Sequence, residues 1–179
     1  TGTVVPWRAG AFLSSLWQCS ISCEAVPAGR EDAVNDGTGY YIDDLEVGMS
    51  ATFGKTITEA DILMFSGVSG DTNPVHLDEE FAGSTMFEGR IAHGILVGSL
   101  ISTVLGTRLP GPGAVYVSQT LKFMAPVRAG DTVRARVTIT ELDVEKKRVK
   151  LDTGCFIGDR AVVTGDATLM VRRRPKTAE

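Results

Sequence analysis

Ile91-Ala92-His93-Gly94-Ile95-Leu96-Val97-Gly98-Ser99-Leu100-Ile101-Ser102-Thr103-Val104-Leu105 decides the fold. The segment has no Asp, Glu, Lys or Arg, and apolar residues fall on nearly every side of a 3.6-residue turn. A helix that is apolar all round is buried all round. About 15 helical residues span about 22 Å, enough to thread a small domain. The uncharged run reaches Thr107, near the lower limit for a membrane span, but it carries several Gly, Ser and Thr residues and lacks a flanking basic cluster or aromatic belt. It reads as the buried helix of a globular domain, with no membrane span.

The sequence after this helix reads as strands. Gly111-Pro112-Gly113 forces a turn, and Ala114 to Phe123 follows as a strand. In Thr132 to Leu142, Val133, Ala135, Val137 and Ile139 alternate with Arg134, Arg136, Thr138 and Thr140, the period of a half-buried strand. Lys147 to Ile157 and Ala161 to Val171 form a further pair joined at Gly158-Asp159. Such short connections make the pairing antiparallel. One buried helix and a run of antiparallel strands combine most simply if the sheet curls around the helix.

Ahead of the helix, Ser50 to Ile57 suits a strand. Thr58-Glu59-Ala60-Asp61 opens a helix with Thr58 as N-cap. Ile62, Phe65 and Val68 are expected on its inner face, with Gly67 and Gly70 ending it. A loop from Asp71 to His76 and a short helix within Phe81 to Phe87 follow. The domain proper is read as residues 40–174, with 175–179 a tail. Residues 1–39 are read as a poorly ordered extension; a transit or signal remnant is the alternative, on the low acidity and serine content of Thr1 to Cys23.

Composition bounds the function. Of 179 residues, 43% are hydrophobic and 22% charged, enough apolar sequence for a sizeable core. The net charge of -4, without a basic half, argues against a nucleic-acid partner. The cysteines Cys19, Cys23 and Cys155 form no disulfide framework, and the Cys19/Cys23 spacing lacks the second ligand pair that zinc requires. No metal is expected, and the compartment reads as reducing. The basic run Arg172-Arg173-Arg174-Pro175-Lys176 reads as a solvated terminus, or as a contact for the phosphates of a substrate arm.

The chemistry concentrates in Gly70-Asp71-Thr72-Asn73-Pro74-Val75-His76. A carboxylate and an imidazole can together move a proton near neutral pH. The bland alternative is a turn Asp capping its own backbone. The chain has only two histidines. The second, His93, is read as a structural hydrogen-bonder at the head of the apolar helix. Free N–H groups at a helix start can hold a carbonyl oxygen as it becomes an oxyanion, which makes Gly94 the second half of a candidate site; tight helix–sheet packing at Gly94 and Gly98 is the alternative.

Gly70-Asp71-Thr72-Asn73-Pro74-Val75-His76-Leu77-Asp78, then Phe81-Ala82, then His93-Gly94 and the apolar helix, resembles the MaoC-type (R)-specific enoyl-CoA hydratase family, whose signature is G-D-x-N-P-x-H-x-D. The resemblance covers about Leu45 to Val171. It implies an α+β hot-dog fold, an antiparallel sheet wrapped around a long central helix. It implies Asp71 and His76 as the catalytic pair, with Gly94 N–H binding the thioester carbonyl. Asn73 would orient the loop, Ser102 would support the site from the helix, and Gln119 matches a strand glutamine of close relatives. The acyl chain would lie along the helix, its length set by Ile95, Val97 and Leu100. Gly89-Arg90-Ile91-Ala92 differs from the Pro and bulkier residue common in close relatives.

The implied reaction is reversible hydration of a trans-2-enoyl thioester to the (R)-3-hydroxyacyl product, with no cofactor. The alternatives are a 3-hydroxyacyl-carrier-protein dehydratase, a hot-dog thioesterase and a non-catalytic acyl-binding module. The implied partners are an acyl-CoA thioester or an acyl-carrier protein and a second copy of the chain. The cytoplasm is the expected compartment, or an organelle if residues 1–39 are a targeting remnant.

Overall fold

The computed structural model describes residues 38–175. Within them the elements run β1 (Ser50–Thr56), α1 (Glu59–Ser69), α2 (Pro74–Leu77), α3 (Glu79–Gly83), α4 (Gly94–Thr107), β2 (Val115–Gln119), β3 (Lys122–Phe123), β4 (Thr132–Asp143), β5 (Arg148–Ile157) and β6 (Arg160–Met170). A short 3-10 turn, Ile42–Asp44, precedes them. The readings made for Thr1 to Gly37, including Cys19 and Cys23, and for the last four residues lie outside the described residues.

The six strands form one sheet in the order β1-β4-β5-β6-β2, with β3 also pairing β6, and every pairing is antiparallel. The alternation read in β4 is borne out: Val133, Ala135, Val137 and Ile139 are buried. Val149, Leu151 and Cys155 of β5 and Val163, Ala167 and Leu169 of β6 continue that inner face. Helix α4 lies against it through Val97, Leu100, Ile101, Val104 and Leu105. Each such side chain gains about 1.5–3 kcal/mol on burial. Gly94 and Gly98 each cost about 1 kcal/mol in helix propensity. Packing therefore outweighs the glycines and holds the helix in place.

Two expectations for the helices change. Helix α4 is not buried all round in the single chain: Ile95 is 55% exposed, and Ser99 and Ser102 are exposed with it. The curled sheet covers one side of the helix and leaves a stripe on the other. In α1, Val68 is 87% exposed rather than on the inner face, because the helix rests on Ile62 and Ser66, one turn apart. The N-terminal reading of α1 is borne out. Thr58 Oγ1 accepts from Asp61 N–H, and the Asp61 carboxylate accepts from Thr58 N–H, a reciprocal capping box. Gly70 alone ends the helix, at φ 77° with its N–H on Ser66 O; Gly67 lies inside it.

The basic run at the C-terminal end folds back on the start of the domain. Arg172 donates to Thr38 O at 2.6 Å and lies over the Tyr41 ring. Nη2 of Arg174 donates to both oxygens of the Asp44 carboxylate at 2.7 and 2.9 Å. Arg173 reaches Asp43 at 3.7 Å. These arginines are neither a free terminus nor an uncommitted phosphate site.

Candidate active site

The loop after α1 is built by its own polar side chains. Asp71 N–H donates to Ser69 Oγ, Asn73 N–H to Asp71 Oδ1, and Val75 N–H to Asn73 Oδ1. Asn73 is thereby the N-cap of α2, with Pro74 at the first helical position, where its missing N–H costs nothing. His76 therefore stands on a helical turn, not in the loop expected for it. The turn role of Asp71 is real, but it occupies only Oδ1, and no protein group among the described residues hydrogen-bonds Oδ2.

The turn of α2 carries His76 inward, to 8% exposure. Its Nδ1 lies 2.8 Å from Ile91 O. A carbonyl can only accept, so Nδ1 carries the proton and Nε2 is left as a lone pair. His93, 2% exposed, faces the His76 ring with centroids 3.8 Å apart and planes at 31°. Its Nε2 lies 3.0 Å from Asp71 O and 3.3 Å from Ser66 Oγ. Phe65 closes the far side, 5.0 Å from the His93 ring centre. The sequence reading places Phe65 on the inner face of α1 and gives Ser66 no role. The signal for Ser66 was a polar residue one turn after Ile62 on the buried face of α1.

Asp71, His76, His93, Gly94 and Ile95 line one cavity of about 450 Å³, walled by Met86, Phe87, Ile91, Val97, Phe123, Met124, Val127 and Val163. It has polar groups at one corner and apolar walls elsewhere, the arrangement of a small-molecule site. Gly94 is the first residue of α4, and its N–H has no acceptor among the described residues. The cover is held from outside: Arg90 pairs with Glu59 at 3.0 Å and Glu79 at 3.1 Å, and the Arg128 guanidinium donates to the carbonyls of Phe87 and Arg90.

Four expected residues do not line the cavity. Asn73 caps α2. Ser102 lies exposed two turns along α4. Gln119 is engaged within the sheet, where Nε2 donates to Thr153 Oγ1 at 2.8 Å and Thr120 O at 2.7 Å and Oε1 accepts from Tyr116. Leu100, expected to help set chain length, is core.

Asp71, His76 and His93 each offer one donor atom within 4.8 Å of the others. One nitrogen of each ring already serves a carbonyl, Nδ1 of His76 at Ile91 O and Nε2 of His93 at Asp71 O, so neither ring has both nitrogens open to an ion. The set suits hydrogen bonding better than a metal ion. Two hydrogen bonds of about 2.8 Å to a common oxygen reach further than the spacing of the groups, so Asp71 and His76 can hold one water.

An antiparallel sheet curled over one helix, with Asp71, His76 and the start of that helix lining one largely apolar cavity, is a hot-dog domain. The chain belongs to the family described as the MaoC like domain, which it matches over residues 45–157. It is 55% identical over 135 residues to an (R)-specific enoyl-CoA hydratase of Rhodospirillum rubrum, covering 75% of this chain and 94% of that protein. It is 50% identical over 134 residues to a 3-hydroxybutyryl-CoA dehydratase of Methylorubrum extorquens, covering 75% and 85%. The solved (R)-hydratase of A. caviae superposes with a TM-score of 0.69 at 43% identity, over 72% of this chain and 98% of that one.

Proposed function

We propose that this chain adds water reversibly across a trans-2-enoyl-CoA thioester to give the (R)-3-hydroxyacyl thioester. One observation carries the reading: Asp71, whose Oδ2 has no protein partner among the described residues, His76, whose Nε2 is left as a lone pair, and Gly94, whose N–H has no acceptor among them, line the same cavity. In this reading the thioester oxygen accepts from Gly94 N–H, which withdraws electrons from C3 and stabilises the enolate. The water held by Asp71 and His76 attacks C3. Its hydroxyl stays on C3, and its proton passes to the pair and then to C2, leaving the pair as it began. The two side chains act on one water. Dehydration is the same path reversed. Asn73 supports the site through α2, and the reaction calls on no metal or cofactor.

The active species is proposed to be a homodimer. The outer edge of β2 has no strand partner among the described residues, and Val115, Tyr116 and Val117 are exposed on it. A second copy related by a twofold axis would cover that edge and its apolar faces. Size-exclusion chromatography with light scattering checks this; a monomer at micromolar concentration would refute it. No helix among the described residues is long and apolar enough to cross a membrane. The proposed compartment is the cytoplasm, in keeping with a cysteine set that forms no disulfide framework.

Incubation with crotonyl-CoA, read by loss of enoyl absorbance and by chiral analysis of the product, tests the reaction. Formation of the (R)-3-hydroxy ester without thiol release is expected. Thiol release would point to a thioesterase, and binding without turnover to an acyl-binding module. An enoyl-carrier protein run in parallel distinguishes the CoA ester from the carrier-bound substrate.

A further inference from the structure

The geometry points to His93 as a positioning residue that sets both members of the acid–base pair at once, an inference that rests on the hydratase reading of Asp71 and His76. His93 touches each of them in a different way. Its Nε2 lies 3.0 Å from the backbone carbonyl of Asp71, which can only accept, so the proton of His93 sits on Nε2. Its ring packs against the ring of His76, tilted by 31° with centroids 3.8 Å apart, a contact that restricts His76 about its side-chain bonds.

The other nitrogen settles the tautomer. His93 Nδ1 is buried and has no hydrogen-bond partner among the described residues, so a proton there would have nothing to donate to. His76 is the mirror case, with its proton on Nδ1 toward Ile91 O and its lone pair on Nε2. The only two histidines of the chain thus lie face to face in opposite tautomers. Phe65 on the far side and Ser66 Oγ at 3.3 Å hold the His93 ring in turn. Positioning of this kind acts on turnover: a displacement of about 1 Å at a reacting group can cost about 100-fold in rate.

Two variants separate the contributions. Gln at position 93 can still present an amide N–H to Asp71 O, whereas Ala loses both donor and stack. We expect His93→Ala to lower kcat on crotonyl-CoA about 100-fold with KM within about threefold, and His93→Gln to recover about tenfold of that loss. A His93→Ala kcat within twofold of the parent, a loss confined to KM, or a Gln variant no better than Ala overturns the role.

Imidazole nitrogen-15 NMR of the untagged parent gives a readout that needs no turnover. Recorded above the usual imidazole titration range, the spectrum is expected to show one ring protonated at Nε2 and one at Nδ1, the first vanishing in His93→Gln. Two rings of the same tautomer, or two averaged rings, overturn the assignment. If the parent hydrates no enoyl thioester while the NMR pattern holds, the hydratase reading fails and the paired tautomers stand.

Discussion

The aromatic ring of Phe123 lies directly on the backbone of Gly94: a Cβ built at position 94 would stand 2.8 Å from both Cδ1 and Cε1 of that ring. This contact explains a glycine in the first turn of a buried helix. A side chain there would displace the Phe123 ring, which walls the cavity beside the N–H proposed to hold the thioester oxygen. Gly94→Ala is expected to lower kcat/KM on crotonyl-CoA at least tenfold although alanine favours the helix by about 1 kcal/mol. The double variant Gly94→Ala/Phe123→Ala should recover part of the loss, because contacting residues are not additive. Additive losses in steady-state kinetics would show that the contact is not the cause.

Asp71→Asn keeps an oxygen for Asn73 N–H, so the loop retains its turn while losing the charged acceptor. His76→Ala removes the Nε2 lone pair outright. Each is expected to lower hydration by about 10²–10⁴-fold, the range for a general acid–base group. Unchanged thermal melting in Asp71→Asn would confirm that the loss is chemical, and full activity in both variants would remove the pair from the mechanism.

The capping box of α1 has a pH signature. The hydroxyl and N–H of Thr58 hold the Asp61 carboxyl below the usual carboxylate range. A carboxyl depressed in the folded state stabilises above its unfolded value and loses that contribution as pH falls through the folded one. Thr58→Ala is expected to cost about 1 kcal/mol in urea unfolding at neutral pH. The gap between parent and variant should shrink below about pH 4, where the unfolded carboxyl becomes protonated. A gap that does not change with pH would rule out the ionic part of the cap.

The arginines at 172 and 174 are engaged with Thr38, Tyr41 and Asp44. Arg174→Gln is therefore expected to leave KM for crotonyl-CoA and its salt dependence unchanged, with little loss of stability, because an exposed ion pair contributes little. A KM that rises and becomes more salt-sensitive would return these residues to a phosphate-binding role.

Burial pushes the Cys155 thiol up to about 12, and its Sγ donates to Val97 O at 3.4 Å beneath the cavity. The thiolate is the reactive form. Peptide mapping after iodoacetamide treatment near neutral pH should find Cys155 unmodified in the folded protein and alkylated once urea is added. Alkylation at equal rates in both states would mean that the sheet opens there.

Much of the fold was legible because its signals are local. The 2-residue period of Val133, Ala135, Val137 and Ile139 names a strand without reference to anything else. Thr58 and Asp61 mark a helix start by themselves, and Gly158-Asp159 joins β5 to β6 within the turn. The Asp71-to-His76 signature and Gly94 were visible for the same reason. The local reading failed where two signals compete. Pro74 and Asn73 look like a turn, yet they also begin a helix, and the second use prevailed because α2 buries His76.

From the sequence alone followed the central helix, most of the strands and the candidate pair, which rest on periodicity or spacing over a few residues, and the family resemblance, which rests on residue identity; the strand read over Ala114 to Phe123 is instead two, β2 and β3, parted at Thr120 and Leu121. Tertiary structure alone decided that His93 stacks on His76 and grips the Asp71 carbonyl, that Ser66 lies beside them, and that Ser102 and Gln119 stand apart from the cavity. It also decided that one stripe of α4 stays open. These relations join residues far apart in the chain, and the curl of the sheet and the depth of packing set them; neither is encoded in any short stretch.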